Sequence, residues 1–220
     1  KRVPRLINEP YTKEMGIKIA KKVTEKGVVR LVKMGFELAK KRSKKLCCVD
    51  KANVLESSRL WRETVQSMEK DYPDISVSYE FVDAVAMRLV QWPKNYDVLV
   101  TENLFGDILT DEASVITGSM GLMPSASIGN ENSLYEPIHG SFPQAAGKNI
   151  ANPLATILSA AMMFEMSFGL KNESDIIKKI VERSLNNKIV TEDLSLEKER
   201  KYTTSEVGDF LVNEIISNKI

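Results

Sequence analysis

Short apolar runs recur along this chain, each followed by a stretch with helical periodicity. "LCCVD" (Leu46–Asp50), "ISVSYEFV" (Ile75–Val82) and Val98-Leu99-Val100 read as strands. Helical spacing appears between them, through Val28, Leu31, Val32 and Phe36, through Trp61, Val65 and Met68, and over Ala84–Leu89. Strands alternating with helices imply an α/β fold with helices packed on a sheet. At 220 residues the chain can bury a sizeable core, as one domain or two small ones.

The ends of these elements are partly legible. Thr24 suits an N-cap, with Glu25 in the first helical turn, and Tyr72-Pro73 closes the second helix. The cluster Lys40-Lys41-Arg42-Ser43-Lys44-Lys45 sits where a helix ends and where cations complement its dipole. A net charge of +1 gives no electrostatic reason to expect nucleic acid. Adjacent Cys47 and Cys48 are poorly placed for a disulfide, which fits a reducing, cytoplasmic setting. No apolar run reaches the length of a membrane span.

From Gly118 the texture changes. "GSMGLMPSASIGNENS" is rich in Gly, Ser and Asn and reads as loop, so an internal boundary is placed between residues 117 and 118. An apolar helix over Leu154–Phe168 and two amphipathic helices, around Asp175–Leu185 and Ser205–Ile216, complete the chain.

Three places could carry chemistry. After the Val98–Val100 run come Asp107 and Asp111, four apart on an expected helix, with Glu112 beside them. Like charges at that spacing repel by about 0.2–0.5 kcal/mol. A hard divalent cation, Mg²⁺ or Mn²⁺, would turn the repulsion into attraction, with Asp83 as a candidate third ligand. A solvated acidic helix face is the other reading, and spacing alone leaves both open. Lys51 follows a buried strand in "VDKANVLESS" and is either a base at the carboxyl end of that strand or an exposed loop lysine. The loop "EPIHGSFPQAAGKNIANP" holds the only histidine, His139, with Gly140 and Gly147 permitting close backbone approach to a ligand. G-x-G-x-x-G, the P-loop pattern and G-x-S-x-G are all missing, so a dinucleotide site here is not a Rossmann one.

Taken together, "VDKANVLESSRLWRETV", "YPDISVSYEFVDAVAMRLV", "YDVLVTENLFGDILTDEASVITGSMGLMPSAS" and "LYEPIHGSFPQAAGKNIANPLATILSAAMM" resemble the β-decarboxylating dehydrogenases. Within that family they look most like the isopropylmalate branch, from about Thr24 to the C-terminus. The resemblance implies a two-domain isopropylmalate dehydrogenase-like fold: residues 1–117 form the substrate-binding and dimerisation domain, and residues 118–220 the C-terminal part of the dinucleotide domain. It implies NAD-dependent oxidative decarboxylation of 3-isopropylmalate to 4-methyl-2-oxopentanoate in leucine biosynthesis. Siblings acting on isocitrate, homoisocitrate or tartrate, and a catalytically incomplete dimerisation fragment, are the alternatives; a Mg²⁺-dependent phosphatase lacks a nucleophile motif.

Residue by residue, the resemblance gives Asp107 and Asp111 as ligands of Mg²⁺ or Mn²⁺, with Asp83 supplied by the other subunit of a homodimer. Lys51, also from the partner subunit, is the base for the hydroxyl proton. Asn53 and Val54 lie on the substrate, Val54 against its isopropyl group. His139, Gly140, Ser141 and Asn152 match the adenosine-binding loop. Gln144 stands where NAD-specific members carry an aspartate for the adenine ribose, yet no Lys or Arg is placed there to favour NADP. No match is found to the family's N-terminal segments, which carry arginines for the malate carboxylates and a tyrosine that protonates the enolate. Residues 1–23 resemble part of the dimer arm, and Tyr11 is in the wrong context for that tyrosine. The chain is accordingly expected to be N-terminally incomplete.

Overall fold

The computed structural model describes the backbone of residues 13–196 and 198–217, with side chains from residue 25 onward. Most of the segment read as a dimer arm, Tyr11 included, lies outside the described residues. The chain forms two compact units, Lys1–Leu109 and Thr110–Ile220. The division falls inside a helix, ahead of the change in texture at Gly118.

The first unit is a three-layer α/β sandwich. Its helices are α1 (Lys13–Lys40), α2 (Glu56–Glu69), α3 (Val82–Gln91) and the start of α4 (Asn103–Thr117). Strands β1 (Lys45–Asp50), β2 (Ser76–Phe81) and β3 (Val98–Val100) form a parallel sheet in the order β2-β1-β3. Cys48 pairs with Tyr79 on one side and with Val100 on the other.

Successive strand residues face opposite ways, and β1 uses both faces. Leu46 and Cys48 join Val32 and Phe36 of α1 and Trp61 and Val65 of α2 in one core. Cys47 and Val49 turn to the other face, where Val85 of α3 and Leu109 of α4 cover them. This two-sided burial is why β1 reads as a continuous apolar run rather than an alternating one.

Helix α1 differs from expectation at its start. It runs through Thr24 instead of beginning there. Residues 13–23, "KEMGIKIAKKV", are mostly good helix formers, so nothing local stops the helix at a potential cap. At its other end the basic cluster has structural partners. Arg42 Nε lies 2.7 Å from Asp97, and Ser43 donates to the same carboxylate through its backbone N–H and its hydroxyl.

The second unit contains a feature that the sequence reading missed. The Gly/Ser/Asn-rich stretch is not plain loop: Met120–Leu122 is a 3₁₀ turn, and β4 (Pro124–Ile128) pairs antiparallel with β5 (Ser133–Pro137). Small polar side chains such as Ser125 and Ser127 hide the strand period. Gly129 closes the turn, donating 3.0 Å to the Asn132 carbonyl; a Cβ there would collide with that oxygen. Helix α5 (Leu154–Met166) packs on this hairpin, and α6 (Lys171–Asn186) packs on α5 and on α7 (Thr204–Ser217). Leu154, Ile180, Val181, Val207 and Leu211 form the core of this unit. No helix among the described residues is long and apolar enough to cross a membrane.

Candidate functional site

The carboxyl end of the parallel sheet gathers the first group of predicted residues. Lys51 immediately follows β1 and Asp83 lies in the first turn of α3, directly after β2. Because β1 and β2 are in register, with Asp50 opposite Phe81, the residues just beyond them are neighbours. The Lys51 ammonium sits 2.5 Å from Asp83 Oδ1 and 5.8 Å from the centre of the Phe81 ring. The hydrogen bond from Lys51 holds the Asp83 carboxyl below its usual range, helped by the backbone N–H groups at the start of α3.

The loop after Lys51 is tightly tied. The Lys51 carbonyl accepts from the N–H groups of Val54 and Leu55, each at 2.9 Å, and Arg59 Nε donates to the Ala52 carbonyl at 3.0 Å. Asn53 is exposed, and Val54 is 63% exposed, so this loop offers an apolar side chain beside the lysine.

Asp107 and Asp111 both lie on α4 and are exposed, four residues apart and therefore on one face. Among the described residues, no group of three or more His, Cys, Asp or Glu side chains of one chain could hold a metal ion. A pair of hard oxygen donors is what α4 presents; a complete cation site needs a further ligand.

The second group lies in the second unit. A cavity of about 540 Å³ is lined by His139, Gly140, Ser141 and Asn152 together with residues around Met120, Phe142, Ile150 and Asp193. Four of the five predicted cofactor residues thus share one cavity. Gln144 is exposed on the 3₁₀ turn Pro143–Ala145 and is not part of the lining. The His139 Nδ1 lies 3.0 Å from the Gly140 carbonyl oxygen, which can only accept, so in that contact Nδ1 carries a proton.

Asn152 is fixed at both ends of its amide. Its Oδ1 accepts from the Leu154 N–H at 2.9 Å, capping α5, and its Nδ2 donates to Asp193 Oδ2 at 2.9 Å. Those partners also settle which end of the amide is oxygen. Asp193 gathers two more donors, the hydroxyls of Ser119 and Thr191. Partial desolvation pushes its carboxyl up, but the three donors outweigh this and hold it below the usual range. Gly121 completes the arrangement. A Cβ at that position would come 2.7 Å from the Asn152 Cβ and 2.8 Å from its Nδ2.

Sequence reasoning did not find Asp193, Ser119 or Gly121. Asp193 lies 41 residues from Asn152, on a single 3₁₀ turn (Glu192–Leu194) with no motif of its own. Gly121 could have been noticed only by asking what its missing side chain makes room for.

Residues 3–211 match the family model described as isocitrate/isopropylmalate dehydrogenase. The 3-isopropylmalate dehydrogenase of Bacteroides fragilis is 55% identical over 192 residues, covering 87% of this chain and 54% of that protein. That of Aquifex aeolicus is 49% identical over 212 residues, covering 96% and 58%. The crystal structure of isocitrate dehydrogenase from Methylococcus capsulatus superposes with a TM-score of 0.78 at 38% identity, covering 87% of this chain and 56% of that one. The chain therefore spans about half the length of the curated relatives it matches. With residues 3–211 of its 220 matched by the family model, this chain belongs to the isocitrate/isopropylmalate dehydrogenase family.

Proposed function

We propose that this chain supplies the base, metal-ligating and nucleotide-binding residues of a cytoplasmic enzyme of leucine biosynthesis, which oxidises 3-isopropylmalate with NAD and releases CO₂ to give 4-methyl-2-oxopentanoate. The observation that carries the reading is the Lys51–Asp83 pair at the carboxyl end of a parallel sheet, where open α/β sheets bind ligands.

In this reading Lys51, in its free-amine form, takes the proton of the substrate hydroxyl as hydride leaves the same carbon for NAD. Asp83 accepts the hydrogen bond of the lysine and holds its nitrogen in place. Val54 packs on the isopropyl group and, having no polar atom, gives no partner to a third carboxylate, which favours isopropylmalate over isocitrate. Asp107 and Asp111 suit Mg²⁺ or Mn²⁺ by their donor chemistry. When bound, the ion supplies Lewis-acid stabilisation of the enolate left by decarboxylation. Lys51 and Asp83 of a second copy complete the site, Asp83 as the third carboxylate, so the active unit is a homodimer. Its support is apolar surface: Met87 and Val90 on α3, and Leu104 and Ile108 on α4, are each more than half exposed. The cavity around His139 and Asn152 takes the adenosine of NAD.

The test is NADH formation from 3-isopropylmalate with Mg²⁺, with isocitrate and tartrate in parallel and Lys51→Ala as control. Because the chain spans about half of its relatives, an N-terminally extended form is assayed beside it. Turnover of 3-isopropylmalate that Lys51→Ala abolishes is the expected result. Silence of both forms on all three substrates rejects the reading.

A further inference from the structure

Asp50 is the last residue of β1 and is only 1% exposed. Its carboxylate accepts from Arg62 Nε at 2.7 Å and Arg62 Nη2 at 3.0 Å, a bidentate pair, and from the Ala52 N–H at 2.8 Å. The Cys48 thiol lies 3.8 Å away. Arg62 reaches this carboxylate from α2, with its guanidinium carbon 5.5 Å from the Tyr79 ring centre and 5.1 Å from that of Phe81. Tyr79 and Phe81 are two apart on β2 and share a face, so they form an aromatic floor for the guanidinium.

Taking a carboxylate and a guanidinium out of water is costly, and a buried pair is weak evidence for stability by itself. What the pair holds in place is more informative. Asp50 precedes Lys51 and Ala52 follows it, and one carboxylate fixes the backbone on both sides. Phe81, which stacks under Arg62, also lies under the Lys51 ammonium. An unrestrained lysine has a long flexible stem, and a site that must place its nitrogen closely needs the Cα held still.

We propose that Asp50 and Arg62 are a positioning pair for Lys51. The pair clamps the turn that carries the lysine, so that its ammonium meets Asp83. The inference rests on Lys51 being the base of the reaction, but the clamp itself is a property of this chain alone. Arginine is required because only a planar fork spans both carboxylate oxygens while lying over two rings.

A merely structural role, joining β1 to α2, would leave Lys51 no looser than the rest of the strand. Amide hydrogen exchange on the 220-residue chain separates the two. In Arg62→Met the Ala52 amide is expected to exchange at least about tenfold faster, with the amides of Cys47 and Val49 unchanged, and NMR relaxation of the Lys51 Cε methylene should report a more mobile side chain. Should Arg62→Met not fold, Arg62→Lys decides by the same readouts, since it keeps the charge but cannot bridge both oxygens. Unchanged Ala52 exchange, or acceleration of Ala52 in step with Cys47 and Val49, overturns the proposal. Neither readout needs turnover, so a chain that clamps Lys51, while both it and the N-terminally extended form oxidise nothing, would refute the enzymatic reading and leave the clamp standing.

Discussion

The Lys51 ammonium and the Asp83 carboxylate meet at 2.5 Å although 32 residues separate them in sequence. The contact follows from sheet register, since each residue lies just beyond the end of one of two adjacent parallel strands. It also has a pH signature. The folded-state pKa of Asp83 is depressed, chiefly by the hydrogen bond from Lys51. The pair's contribution is therefore complete above the unfolded carboxylate value of about 3.9 and is lost as pH falls through the lower folded value. Lys51→Met should return Asp83 towards an ordinary carboxylate, as read by ¹³C NMR titration of its carboxyl carbon. An Asp83 titration unmoved by that substitution would show that the pair does not form in solution.

Asp107→Asn and Asp111→Asn should each weaken Mn²⁺ binding by at least about tenfold, because loss of an outer-shell partner already costs that much in metal sites. Without metal, Asp111→Asn should leave thermal stability level or slightly higher, since like charges four apart on a helix repel by about 0.2–0.5 kcal/mol. Calorimetric Mn²⁺ titration checks the first expectation and thermal melting the second.

Gly121→Ala tests the nucleotide cavity from its own lining, at the residue packed against Asn152. The added methyl group would lie 2.7 Å from the Asn152 Cβ, so Asn152 must shift away from Asp193 or from the start of α5. Overpacking of this kind costs about 1–3 kcal/mol of stability. The expected result is a lower melting temperature together with weaker NAD binding in a fluorescence titration. Unaltered NAD affinity at a lowered melting temperature would separate Asn152 from nucleotide recognition.

If α3 and α4 form a homodimer surface, a carboxylate placed there should break it. Ile108→Glu, at a position 53% exposed, is expected to convert a dimer to a monomer in sedimentation velocity with little effect on the fold. A wild-type chain that sediments as a monomer at micromolar concentration would remove the support that this surface gives.

Legibility in the sequence tracked how local the cause was. β1 to β3 and the helices between them were readable because period and length of the apolar pattern are set by each element's own burial. The β4–β5 hairpin was not, because its strands carry Ser125, Ser127 and Ser133 and its stability comes from the α5 helix laid across it. Thr24 shows the opposite error: a residue type favoured at a helix start was read as one, while the good helix formers before it carry α1 straight through. In the cavity, the loop residues His139, Gly140, Ser141 and Asn152 were visible as a motif. Asp193 was not, because only tertiary packing of a distant 3₁₀ turn brings it to Asn152. Arg62 belonged to a recognised segment, yet its grip on Asp50 depends on α2 lying over the end of β1.

The two adjacent thiols of β1 look into different layers. Cys48 belongs to the α1/α2 side and Cys47 to the α3/α4 side. Burial raises both pKa values, that of Cys47 to about 11 and that of Cys48 further, so neither reacts readily while its own layer is closed. Alkylation of one before the other would then reveal the order in which the layers come apart. A single dipeptide thus carries two independent clocks for the unfolding of this unit, one for each side of the sheet.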